Sequence, residues 1–262
     1  MNLSVSNIAW KSELDEEMYK TLCDMGFQGL EIAPTRIFPH CPYDHLAEAA
    51  AFAAGLSEKY GLSIPSVQSI WYGRNECIWG EESDRNSLAE YTKKAVDFAS
   101  AVNCSNLVFG CPRNRNIPEN GNIDIAYSFF KDIGDYAISR GTCIGLEANP
   151  PIYNTNFINT TKEAIDFIRK TGSDGLRLNL DLGTMIHNNE EISVLYGNED
   201  LINHVHISEP GLLAVKERNI HRDLKELLEE TDYSGFVSVE MSSQSSIEEL
   251  KDSMRYVSGV FG

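Results

Sequence analysis

Positive charge is scarce in this 262-residue chain: 22 lysines and arginines face 39 aspartates and glutamates, for a net charge of −17. A nucleic-acid binder needs a cationic footprint to displace counterions, and an anionic membrane surface selects for the same feature. The bulk charge opposes both partners. Long apolar runs are missing too. No stretch approaches the ~20 residues of a membrane span. The opening MNLSVSNIAWKSELDEE has no basic segment followed by an apolar one, so no signal peptide is visible and a cytoplasmic location is expected. The six cysteines, at 23, 41, 77, 104, 111 and 143, form no C-x-x-C pair. Their scatter through hydrophobic segments predicts buried, reduced thiols. No G-x-G-x-x-G follows the first strand-like run, which argues against a dinucleotide-binding open sheet.

What the chain does contain is alternation. Strand-like runs stand at 3–8, 28–33, 64–70, 105–111, 143–149, 176–182, 203–208 and 236–241. Amphipathic helical stretches such as ELDEEMYKTLCDMG and IAYSFFKDIGDYAISRG lie between them, several ending in glycine at 26, 61, 141 and 172. Eight strand–helix units without a composition break predict a single (β/α)8 TIM barrel over residues 1–262. Segments from strand to helix are long, as in 71–86, 112–122, 150–158 and 209–219, whereas the helix-to-strand links are short. In a barrel the long loops gather on the C-terminal face, where such enzymes place their active sites.

Side chains alternate across a strand. In LRLNLDL the leucines 176, 178, 180 and 182 point one way, and Arg177, Asn179 and Asp181 the other. In HVHIS, Val205 and Ile207 oppose His204, His206 and Ser208; in FVSVEM, Val237, Val239 and Met241 oppose Ser238 and Glu240; in CIGLEAN, Ile144 and Leu146 oppose Gly145, Glu147 and Asn149. Helices cover the outside of a barrel, so the aliphatic rows face out and the polar rows face in. Unpartnered polar groups there would cost several kcal/mol each. Glu147, Asp181 and Glu240 then converge. Two carboxylates ~5 Å apart repel by roughly 3 kcal/mol at an effective dielectric of 20, so three of them need protons, a cation or a metal. His206 adds a nitrogen ligand. The set suits one divalent ion such as Mn²⁺, Co²⁺, Mg²⁺ or Zn²⁺, and not a thiolate-type structural zinc.

LEANP, LDLGT, HVHISEP and VSVEM, with GLEIAP at 29–34 and LVFGCPRNR at 107–115, resemble the xylose-isomerase-like barrel superfamily. That group includes sugar isomerases and epimerases, hydroxypyruvate isomerase, inosose dehydratases and endonuclease-IV-type DNA repair enzymes. The resemblance covers essentially the whole chain. It implies that Glu147, Asp181, His206 and Glu240 hold one metal, and that Glu147 and Glu240 act as the catalytic acid–base pair. One removes the proton α to a carbonyl, the metal stabilises the enediolate, and the other returns a proton. The expected substrate is a small sugar or sugar derivative. Relatives of this kind often form homo-oligomers.

The sequence departs from that pattern at three substrate-contacting positions. Thr184 stands where many relatives place a His three residues after the Asp ligand. Tyr153 replaces the epimerase Glu, and Leu212 the Arg after the His ligand. These departures weaken a ketohexose-epimerase assignment. A dehydratase of the keto-inositol or dehydroshikimate type and a non-catalytic sugar-binding barrel are the alternatives. The DNA-repair branch needs further metal-binding histidines where Gln68, Cys111 and Thr184 stand.

Gln68, Trp71, Arg115, Tyr153, His187 and Glu209 are the candidates for substrate contacts. Arg113 or Arg115 could bind a hydroxyl, carboxylate or phosphate. Trp71 and Tyr72 could wall the pocket. His187 could serve only if its loop curls back. Lys216 is a weaker candidate. Glu31 is expected to hydrogen-bond inside the barrel or to touch substrate, His204 to be structural, and His40 and His221 to be surface or helix-cap residues.

Overall fold

The structure is a computed structural model that describes residues 1–244 and 246–262. Eight parallel strands form one sheet: β1 (Asn2–Ser6), β2 (Gly29–Glu31), β3 (Ser66–Val67), β4 (Asn106–Phe109), β5 (Ile144–Leu146), β6 (Leu176–Asp181), β7 (Ile202–Ile207) and β8 (Phe236–Val239). Their order is β2-β1-β8-β7-β6-β5-β4-β3. Bridges from Gly29 to Ser63 and from Ile32 to Val67 join the two ends. The sheet is thus a nearly closed (β/α)8 barrel, as the strand–helix alternation predicts. β3 is shorter than the expected 64–70. Pro65 has no N–H for a ladder, and Ser69 turns into the left-handed region at φ 55°, which confines pairing to two residues.

The main helices are Asp15–Asp24, Leu46–Tyr60, Glu82–Ala101, Ile123–Ser139, Thr161–Thr171, Leu182–Asn188, Asn219–Glu230 and Ile247–Phe261. Thr160 with Glu163, and Ser246 with Glu249, form reciprocal capping boxes that satisfy first-turn N–H groups. Gly172 closes helix Thr161–Thr171 at φ 65°, a left-handed turn that a side chain would strain. Among the described residues no helix is long and apolar enough to cross a membrane. The prediction of buried thiols holds for Cys104 and Cys143. Cys23 and Cys41 are exposed, because each sits on the solvent side of its segment.

The expected division of faces is realised. Val5, Leu30, Leu107, Leu146, Leu178, Leu180, Val205, Ile207, Val237 and Val239 are buried in the apolar core. Ser4, Ser66, Asn106, Asn179, His204 and Ser238 are buried polar residues of the same strands. The Asn106 amide donates to Ser66 Oγ at 3.1 Å and to Asn179 Oδ1 at 3.2 Å, tying β4 to β3 and β6. Gly145 makes this crossing feasible, since a Cβ there would collide with the Asn106 side chain. The loops are lopsided as expected except at β6. Helix Leu182–Asn188 starts at once because Asp181 is its own N-cap, and the long irregular segment comes afterwards, over residues 189–201.

Candidate active site

Register places the site. In the β6–β7 pair Asp181 lies beside His206, and in the β7–β8 pair His206 lies beside Ser238, two residues before Glu240. Each of these residues ends the inward row of its strand. His206 is fully buried, with Nδ1 lying 3.1 Å from Glu147 Oε2 and 3.2 Å from Glu240 Oε2. Its other nitrogen, Nε2, is 2.8 Å from Glu31 Oε2. An ionised carboxylate only accepts, so Nε2 carries a proton toward Glu31 and Nδ1 is the nitrogen turned to the two glutamates.

Glu147 is fixed on both oxygens. Oε1 accepts from Asn149 Nδ2 at 2.7 Å, and Oε2 from Asn179 Nδ2 at 2.9 Å. Both amides are oriented from behind. Asn149 Oδ1 accepts from Arg115 at 3.0 Å, and Asn179 Oδ1 from Asn106 at 3.2 Å. Each amide nitrogen must then face Glu147. A Cβ on Gly110 would lie 3.0 Å from Glu147 Oε1, so the bare backbone there leaves this oxygen its room. Glu240, by contrast, has the His206 ring as its one polar side-chain partner among the described residues.

Asp181 is held by the Ser208 hydroxyl on Oδ1 and by the Thr184 amide on Oδ2 at 2.8 Å. The Thr184 hydroxyl is also 2.8 Å from Oδ2. Glu147, Asp181 and Glu240 line one cleft of about 210 Å³, with Gln68, Tyr153 and Leu212 on its walls.

Crowding of buried anions governs the electrostatics. Burial, with Glu147 and Glu31 nearby, pushes the Glu240 carboxyl up to about 7 against the pull of His206. Burial and Glu147 raise Asp181 as well, partly offset by His206, Ser208 and Thr184. Burial opposes charge on His206, but Glu240, Glu31 and Glu147 outweigh it and raise the imidazole well above its usual range. Such a set is one that a cation stabilises. Donor atoms of Glu147, His206 and Glu240 all lie within 4.8 Å of one another. Ligands at about 2.0–2.2 Å from one ion stand no more than ~4.4 Å apart, and both His206 contacts meet that limit. Oxygen-rich donors around one imidazole fit a divalent ion. Asp181 is outside this tight trio but lines the same cleft. Glu31, His204 and His206 form a second compact group. There the direct 2.8 Å contact is a hydrogen bond, and His204 Nε2, 3.2 Å from Glu31, is out of line for another.

The candidate substrate residues divide. Gln68 and Tyr153 face the cleft. Gln68 donates to Glu31 at 3.0 Å. The Tyr153 hydroxyl accepts from the Gly211 N–H at 3.0 Å, which leaves its own proton to donate. Burial, with the three carboxylates, pushes that phenol up to about 12 despite the Gly211 contact, so it stays protonated.

The other four depart from expectation. Arg115 is fully buried and donates to the Glu147 carbonyl at 2.8 Å and the Ile158 carbonyl at 3.2 Å, beneath the site. Trp71 turns into the core, where its indole N–H reaches Thr92 at 2.8 Å and its ring packs edge-on to Phe109. Glu209 is buried against Arg218 at 2.6 Å and pins its own loop. His187 is exposed on the last turn of helix Leu182–Asn188, because Asp181 starts that helix immediately and no loop remains to curl back. Arg113 and Lys216 are exposed. His40 is exposed as expected, but His221 is buried against Tyr256. The sequence reading missed Asn149 and Asn179 as donors to Glu147. The available signal was their position, two residues from a carboxylate on the same inward row.

The fold has known counterparts. The 3-keto-D-glucoside 4-epimerase from E. coli superposes with a TM-score of 0.78 at 20% identity, over 98% of each chain. D-psicose 3-epimerase from Clostridium cellulolyticum H10 gives 0.79 at 15% identity, over 100% of this chain and 99% of that one. The probable 3-DHS dehydratase AsbF from Bacillus anthracis gives 0.67 at 14%, over 99% and 98%. At these identities the likeness attests the fold. None of the curated protein sequences matches the chain. The family profile named xylose isomerase-like TIM barrel matches residues 20–258, nearly the whole barrel, and the chain belongs to that family.

Proposed function

We propose that this protein is a metal-dependent isomerase or epimerase acting on a small polyhydroxy carbonyl compound, a sugar or sugar derivative. The carrying observation is the pair of carboxylates, Glu147 and Glu240, that both approach His206 Nδ1, at 3.1 and 3.2 Å, and line one cleft. Glu147, His206 and Glu240, with Asp181, would hold the ion. A divalent ion bound there supplies Lewis acidity, which acidifies the C–H next to a substrate carbonyl.

The chain's own groups divide the proton transfer. Glu240 has no amide donor on its oxygens among the described residues, which leaves it to take a proton from the carbon. Glu147, clamped by Asn149 and Asn179, keeps one orientation and delivers or receives a proton on the other side. Tyr153 offers its O–H to a substrate hydroxyl. Leu212 supplies an apolar wall where a charged contact would select differently.

The test is solvent-deuterium incorporation at the carbon α to the carbonyl, read by NMR over a panel of keto sugars with Mn²⁺-loaded protein. Exchange with wild type, lost in Glu147→Gln and Glu240→Gln, is expected. No exchange across the panel with metal bound would remove the proposal. An unsaturated product with loss of water would assign the site to a dehydratase instead.

A further inference from the structure

The carboxylate-lined cleft is small. At about 210 Å³ it falls below the ~300–1,000 Å³ of ordinary small-molecule sites. It holds the reacting end of a sugar and little more. Beside it lies a second concavity of about 920 Å³, and Ile8 and Ser69 are walls of both. The loops after β1, β2 and β3 build this groove on the C-terminal face. Tyr72 lines it and is 72% exposed, more than any other large hydrophobic side chain among the described residues. An exposed aromatic face on a concave wall is a platform for a ring with an apolar face and polar edges. Arg74, also on the wall, lies over the Tyr91 ring at 4.8 Å.

Charge decides the class of occupant. Arg36 is paired with Asp15 at 2.9 Å, and Arg74 with Glu76. Lys11 and Glu13 stand exposed at the rim, one of each sign. These two balance each other, and the paired arginines add no net charge, so the wall carries no excess of either sign to select an anion or an amine. A neutral, hydroxyl-rich ring fits what remains.

We propose that this groove is a glycosyl subsite. The substrate is a keto sugar carrying a second, neutral sugar residue, its carbonyl end at Glu147 and Glu240 and its attached ring against Tyr72. This rests on the proton-transfer reading of the adjoining cleft.

Titration calorimetry of the Mn²⁺-loaded full chain tests it. The probes are D-fructose, D-fructose 6-phosphate, and three keto-disaccharides of different linkage: turanose, lactulose and isomaltulose. At least one disaccharide should bind about tenfold more tightly than D-fructose, and Tyr72→Ala should bring that ratio close to one. The proposal is overturned if no disaccharide outbinds D-fructose, or if Tyr72→Ala leaves the ratio as it was. Tighter binding of the phosphate than of every disaccharide also overturns it, since the occupant would then be an anion. Deuterium exchange on the same sugars separates the two readings. Exchange without disaccharide preference removes the subsite and leaves the catalytic reading standing. A Tyr72-dependent preference without exchange keeps the subsite and counts against catalysis.

Discussion

Glu31 and His206 meet at 2.8 Å inside the barrel, both fully buried, and the contact turns the opposite ring nitrogen toward Glu147 and Glu240. Burial alone would raise the Glu31 carboxyl, yet His206 and His204 hold it well below its ordinary range. Glu31 thus fixes the ring's orientation and its tautomer from β2, on the far side of the ring from the cleft. Replacing it with Gln keeps the shape and removes the charge. Glu31→Gln should weaken Mn²⁺ binding by roughly 10–100-fold, the usual cost of losing a carboxylate behind a metal-bound histidine. Titration calorimetry with Mn²⁺ reads this directly, with a melting curve to show that the fold persists. Unchanged affinity in a folded variant would dissociate Glu31 from the metal.

Arg115 supports the site from below. Its guanidinium spans the Glu147 carbonyl, Asn149 Oδ1 and the Ile158 carbonyl. Burial draws it down to about 10, with Cys111 and Glu147 opposing, so it remains charged at neutral pH. Arg115→Met would strand three buried acceptors and free the Asn149 amide that clamps Glu147. A loss of about 3–5 kcal/mol is expected, or a melting temperature lower by roughly 6–20 °C. A residue that merely touched substrate would raise KM and leave the melting temperature alone. That outcome would refute the supporting role.

Asp181 has two jobs that two substitutions can separate. Its side chain accepts from the Thr184 N–H as the N-cap of helix Leu182–Asn188, and its carboxylate lines the cleft. Asp181→Asn keeps a cap and removes the charge. Asp181→Ala removes both. The Ala variant should melt lower than the Asn variant by the equivalent of about 1 kcal/mol, while both lose Mn²⁺ affinity to a similar degree. An Asn variant that binds Mn²⁺ like wild type would take Asp181 out of the ligand set.

Strand chemistry was legible in the sequence, and loop chemistry was not, for a definite reason. In β6, β7 and β8 the period of two puts Asp181, His206 and Glu240 on one wall without any knowledge of the loops. The same parity puts Glu31 on the inward row of GLEIAP. Its partner His206 is 175 residues away, and only closure of the barrel brings the two together. Arg115, Trp71 and Glu209 follow strand ends, where direction depends on backbone turns that no periodicity encodes. Cys111 at φ 43° reverses the chain before Arg115, and Trp71 finds Thr92 on a helix 21 residues later. Each of these three side chains makes its hydrogen bonds inside the protein instead of at the cleft.

His221 gives the acid limb of stability a specific origin. The Tyr256 hydroxyl accepts from the Arg218 N–H at 3.1 Å and so donates its own proton to His221 Nδ1 at 3.0 Å. The imidazole must then be neutral, with its proton on Nε2. Burial, helped by Arg218 and opposed by Glu209, lowers its pKa from 6.5 to about 4. A histidine depressed in the folded state takes up its proton more readily when unfolded. Its contribution is therefore complete above about pH 6.5 and falls away as pH drops toward 4. The depression corresponds to ~3 kcal/mol across that window. His221→Gln, which cannot titrate, should be less stable than wild type at pH 7.5 and should lose less stability between pH 6.5 and 4.5. Urea unfolding at a series of pH values measures both slopes. Parallel slopes in the two proteins would show that the imidazole is not the group protonated on acid unfolding.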